Sequence, residues 1–121
     1  MQLRKKNINL DQDYKPGLII YERNLQHIID IGKSNGIKII LSTFCFYLNS
    51  KIKNEKLHKV YNVIVNEENE IMKKLAKKNN LILVDSAKLL PQIDENFVDS
   101  CHFSPQGMKL LSEYLSKEIR I

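Results

Sequence analysis

The chain has 121 residues, 43% hydrophobic and 27% charged, ordinary figures for a single globular domain. Its net charge of +5 is carried almost entirely by lysine, with arginine only at positions 4, 23 and 120, and this argues against base reading or bidentate phosphate recognition, so no nucleic-acid partner is expected. No apolar run approaches the ~20 residues of a membrane span, and the basic start MQLRKKNINL has no apolar stretch behind it as a secretory signal would, which leaves the cytoplasm as the default expectation.

Residues 1–17 read as irregular, ending at Lys15-Pro16-Gly17. Apolar residues at Ile20, Tyr21, Leu25, Ile28, Ile29 and Gly32 then recur at helical spacing over 18–34, and Asn35-Gly36 stops that helix. The β-branched run Ile37–Thr43 reads as a strand covered on both faces. Residues 44–56 form a loop with an aromatic entrance at Phe44, Phe46 and Tyr47. A long helix fits 57–78, with Leu57, Val60, Tyr61, Ile64, Ile71, Leu75 and Ala76 on one side. Lys73-Lys74 and Lys77-Lys78, like Lys5-Lys6 near the start, read as solvated charge. Asn79-Asn80 ends the helix, residues 81–85 form a second strand, and a short helical turn covers Ser86 to Leu90. After a loop over 91–103, Ser104 caps a last helix with Pro105 at its first position and Met108, Leu110, Leu111, Tyr114, Leu115 and Ile119 as its apolar stripe.

This order predicts one α/β domain, with parallel strands near 37–43 and 81–85 joined by a right-handed helical crossover. Two parallel strands cannot cover three amphipathic helices, and such sheets normally sit inside larger α/β layers. An unpaired strand edge is therefore expected at Ile37–Thr43, where only Lys38 discourages pairing, and with it association through that edge.

The chemistry concentrates in Asp99-Ser100-Cys101-His102-Phe103-Ser104-Pro105-Gln106-Gly107. An acid three residues before an imidazole can fix its tautomer and orientation, and an imidazole with its ordinary pKa of about 6.5 suits proton transfer near neutrality. Asp-x-x-His occurs often by chance, so from spacing alone the favoured reading is a helix-entry aspartate and an exposed histidine with no partner. Cys101 and His102 are neighbours in a loop, and in an extended loop neighbours point opposite ways, which argues against a Cys–His nucleophile. His27 and His58 read as surface or half-buried helix residues. Cys45 and Cys101 make neither a disulfide framework nor a zinc pattern with the histidines, so no metal is expected; two free thiols are the favoured reading, with a close pair at the rim of the site as the alternative.

With those residues in place, the chain resembles the C-terminal half of the SGNH (GDSL-type) hydrolases, flavodoxin-like α/β esterases and lipases. The resemblance spans residues 18 to 120 and is carried by the final Asp-x-x-His turn and its glycine-containing helix, matched by Asp99, His102 and Gly107, within FVDSCHFSPQGMKLLSEYLSKEI. It implies an incomplete three-layer fold, a Ser-His-Asp triad with His102 as base and Asp99 as its acid, a small-molecule ester substrate and no cofactor. The Gly-Asp-Ser nucleophile block and the Gly-x-Asn-Asp block of that family do not occur among the 121 residues. Ser42, Ser86, Ser100 and Ser104 are not expected to replace the nucleophile, because none is predicted in a strand-to-helix elbow with small neighbours. The chain alone is therefore expected to be inactive. A different class of reading is a small non-catalytic α/β module that binds a protein partner through its open sheet edge.

Overall fold

Helices α1 (Lys15–Ser34) and α2 (Glu55–Lys78) hand the chain to strands β1 (Ile40–Ser42) and β2 (Ile82–Val84) through the same kind of joint. Gly36 and Asn80 both take left-handed backbone angles, φ 67° and 53°. The next amide after each reaches back to the helix, Ile37 N–H to Gly32 O at 2.9 Å and Leu81 N–H to Ala76 O at 2.8 Å. This is the Schellman closure, which satisfies carbonyls that a helix end otherwise strands. In the computed structural model, which describes residues 13–49 and 55–119, the order continues with α3 (Ser86–Leu89), a 3-10 turn over Asp94–Asn96 and α4 (Pro105–Glu118).

The chain is a mixed α/β structure, mostly helical, with a two-stranded parallel sheet. Ile40 pairs with Ile82, Leu41 with Leu83 and Ser42 with Val84. Both strands are shorter than the predicted 37–43 and 81–85, because the first residues of each run are spent on the helix joint and not on the ladder. The first helix begins at Lys15, three residues before its predicted start, so residues 15–17 are not irregular. Pro16 and Gly17 are accommodated because amides of a first helical turn need no partner within the helix. The second helix starts at Glu55, two residues early. The predicted irregular segment over 1–12 and part of the loop over 44–56 lie outside the described residues.

One core lies between the sheet and the first two helices, where Ile29, Leu41, Leu75 and Ala76 are buried and Leu25, Ile39, Ile71, Met72, Leu81 and Leu83 pack against them. Burying side chains of this size stabilises by roughly 1.5–3 kcal/mol each. Gly32 sits in that contact: a Cβ there would lie 2.5 Å from the Ile39 side chain. The amides of Gln26 and Asn79 pair at 3.0 and 2.9 Å, and Lys33 Nζ donates to Asn79 O at 2.7 Å, which ties the second half of α1 to the residue that ends α2. The buried face of α1 is narrower than its apolar stripe, since Ile28 is 61% exposed beside fully buried Ile29. A second core, of Cys45, Leu90 and Phe97 with Tyr47, Phe103, Leu110 and Tyr114 against them, sits under α4. Lys74, Lys77 and Lys78 are exposed and Lys73 is half-buried, while Lys5 and Lys6 lie outside the described residues. Among the described residues no helix is long and apolar enough to cross a membrane.

Gly36 has open space around its α-carbon, so a side chain there meets only the backbone cost of the left-handed region. Gly36→Ala should lower the unfolding free energy by about 1–2 kcal/mol, and Gly36→Asn by clearly less. Urea unfolding of the three chains checks this; equal stability for all three would mean that the joint does not hold residue 36 left-handed.

Candidate functional site

The entrance to α4 is built from Asn96. Ser104 caps the helix by accepting from Gly107 N–H at 3.1 Å, its own N–H donates to Asn96 O at 3.0 Å, and its hydroxyl donates to Glu95 O. Asn96 is fully buried, donates its amide to Pro91 O at 2.9 Å and accepts from the Gln106 amide at 3.1 Å. A Cβ on Gly107 would lie 2.1 Å from Asn96 O, so only glycine lets the helix settle on this backbone. From this joint the chain closes on itself. Phe97 and Phe103 form an antiparallel bridge, and Val98 N–H donates to His102 O at 2.8 Å.

The tip of this closed loop is Asp99-Ser100-Cys101-His102. It is tied to the exit of β1 by Tyr47 N–H donating to Ser100 O at 2.7 Å, and to α2 by a 3.1 Å hydrogen bond between Ser100 Oγ and His58 Nδ1. Tyr47 itself stacks on Phe97 with ring centroids 4.9 Å apart. The segment after β1 is positioned in turn by buried Asn69, whose amide accepts from Phe44 N–H at 2.8 Å and donates to Phe44 O at 2.9 Å. Neither Asn69 nor the His58–Ser100 contact was legible in the sequence. The partners are 25 and 42 residues apart, and no local pattern marks them.

Asp99 and His102 meet, as their spacing allows. His102 Nδ1 lies 2.7 Å from Asp99 Oδ2 and 2.9 Å from Oδ1. The same carboxylate accepts the backbone N–H of Cys101 at 2.9 Å and of His102 at 2.7 Å. Those two backbone donors, and then the imidazole, hold the Asp99 carboxyl well below the usual carboxylate range, at about 2. A proton on Nδ1 satisfies the contact and leaves the imidazole lone pair on Nε2, the arrangement a general base requires. Both side chains are open, 53% exposed for Asp99 and 73% for His102. Next to them lies a cavity of about 370 Å³, walled by Phe46, His58, Tyr61 and the tip residues Asp99, Ser100 and Cys101. A second, of about 380 Å³ and beyond the C-terminal ends of the strands, has Phe44, Phe46 and Tyr47 on one side and the amides of Asn62, Asn66 and Gln92 among its polar groups.

Cys101 is not where an extended loop would put it. The tip is a turn, so the thiol falls on the same side as its neighbour, with Sγ 3.5 Å from His102 Nδ1. Burial and the Asp99 charge push the Cys101 pKa up, and that keeps it a thiol and not a nucleophilic thiolate. Cys45 is buried and raised to about 11, chiefly by desolvation, and both cysteines are free. His58 is half-buried and His27 exposed.

The four serines are each committed elsewhere. Ser86 stands at the strand-to-helix turn between β2 and α3, but Val84, Asp85 and Lys88 around it are not the small neighbours of a nucleophile elbow. Its hydroxyl is also buried, 2.7 Å from that of Ser42. Ser100 is bonded to His58, and Ser104 caps α4. Comparison of the chain with protein-family models, with curated proteins and with solved structures gave no match.

Because the folded state favours the Asp99 anion, its contribution to stability is present above the ordinary carboxylate range and is lost as pH falls through about 2. Carboxyl-carbon NMR should follow Asp99 titrating near that value. A midpoint near 4 would mean that the two backbone donors do not hold the carboxylate.

Proposed function

We propose that the chain is the C-terminal part of an SGNH/GDSL-type serine ester hydrolase, with a flavodoxin-like three-layer fold, and that Asp99 and His102 are the acid and base of its triad. The observation that carries this reading is the Asp99–His102 contact, held from the backbone at the mouth of a helix that closes on Asn96 through Gly107. A serine from outside the 121 residues attacks the ester carbonyl, and His102 Nε2 takes its proton. The imidazolium, steadied by Asp99, returns that proton to the leaving alcohol, and water then releases the acyl group by the same route. The cavity walled by Phe46 and Tyr61 beside the pair offers an apolar surface to one arm of the substrate.

The 121-residue chain should hydrolyse p-nitrophenyl esters no faster than its His102→Ala variant, and should take no fluorophosphonate label. The polypeptide extended by the coding sequence upstream of Met1 should carry a Gly-Asp-Ser block, take the label on that serine and lose turnover by up to roughly 10⁴-fold on Asp99→Asn, as serine-protease triads do. A labelled serine in the 121-residue chain, or an upstream sequence without such a block, overturns the reading.

A second reading, a partner-binding α/β module, is favoured by one observation: Ile28, Ile31 and Ile37 are all more than half exposed around the joint that feeds β1. Large apolar side chains left in solvent are the kind of surface that association covers. Sedimentation should then show self-association that Ile28→Lys with Ile37→Lys abolishes, whereas a chain that is monomeric at every concentration tested removes this reading.

A further inference from the structure

The hydrolase reading leaves one exposed donor at the tip unused. Asp99, Cys101 and His102 each present a ligand atom, and the three atoms lie within 4.8 Å of one another. A tetrahedral zinc-type ion bound to a thiolate and an imidazole, at about 2.3 and 2.1 Å, holds sulfur and nitrogen roughly 3.6 Å apart. Cys101 Sγ and His102 Nδ1 are already 3.5 Å apart. The carboxylate is closer to Nδ1, at the hydrogen-bond distance of 2.7 Å, and must open by roughly 0.6 Å to admit an ion. Its orientation is set beforehand: the backbone N–H groups of Cys101 and His102 both bind Oδ1, leaving Oδ2 to face the site.

We propose that Asp99, Cys101 and His102 form a three-ligand site for a borderline-soft divalent cation of the zinc class, with water in the fourth position. A thiolate, an imidazole and a carboxylate together select such an ion over magnesium or calcium, which prefer all-oxygen shells. On binding, the Cys101 thiol gives its proton to solvent, sulfur and Nδ1 each donate a lone pair to the ion, and the imidazole proton moves from Nδ1 to Nε2. No electron changes hands. Ion binding needs only the tip. Where it rests on the hydrolase reading, it adds regulation: the ion takes the nitrogen that Asp99 otherwise holds and caps Nε2 with a proton, so an occupied site has no general base.

Titrating the reduced 121-residue chain with Co²⁺ should raise the near-ultraviolet absorption of a thiolate–cobalt bond at one equivalent, and Zn²⁺ should bleach it. Cys101→Ser should abolish the band with the circular dichroism unchanged, Asp99→Asn should weaken binding at least tenfold, and Cys45→Ala should leave the band intact. No band at millimolar Co²⁺, a band that survives Cys101→Ser, one that depends on Cys45, or unaltered affinity in Asp99→Asn each overturns the site. None of these readouts uses ester turnover, so the metal site and the hydrolase reading fail separately.

Discussion

The contact on which the rest of the candidate site depends is the seating of α4 on the backbone of Asn96. A helix axis cannot normally come so close to another main chain, and it does so here because Gly107 has no side chain to collide with the carbonyl. Ser104 and Gln106 then bond to the same residue from the first turn of the helix, and the amide of Asn96 is spent on Pro91. Asn96 itself is fully buried, so a partner lost there strands its polar groups at about 1–3 kcal/mol each. With the joint closed, Phe97 and Phe103 face each other across the bridge that closes the loop.

Rigidity at the base of the loop explains how an open tip can still be ordered. Asp99 and His102 are mostly in solvent, where an isolated ion pair contributes little. The carboxylate is positioned instead by the two backbone N–H groups that follow it, and Ser100 anchors the middle of the tip to β1's exit and to α2. The imidazole then needs only one partner to fix its ring. The backbone thus supplies the orientation that burial would otherwise provide.

Two alternative roles fall to one nitrogen under the two proposals. His102 Nδ1 as a donor to Asp99 leaves Nε2 basic, whereas Nδ1 as a ligand leaves Nε2 protonated. Cys101 is what makes the second state reachable, because the turn swings its sulfur to the imidazole side. The protonated thiol, held so by partial burial and the Asp99 charge, favours the first state in the absence of an ion.

Much of the fold was legible in the residues themselves, and for a local reason. Helix periodicity, the stops at Gly36 and Asn80, the Ser104–Pro105 start and the Asp99–His102 spacing are all decided by bonds that span five residues or fewer. Those features came through nearly unchanged, apart from helix starts that were two or three residues early and strands trimmed by their joints. The family resemblance added roles for Asp99 and His102 that no contact within the chain assigns. What only the tertiary structure decided were the relations between distant segments: the Asn69 clamp on Phe44, the His58–Ser100 bond, and the burial of the Ser86 hydroxyl against Ser42. It also decided which half of the α1 stripe is covered, leaving Ile28 outside, and on which side of His102 the sulfur of Cys101 lies. Side-chain direction in a turn follows the dihedral angles that its anchors impose, and those anchors lie on β1's exit, on α2 and on Asn96, where no pattern local to residues 99–102 reports them.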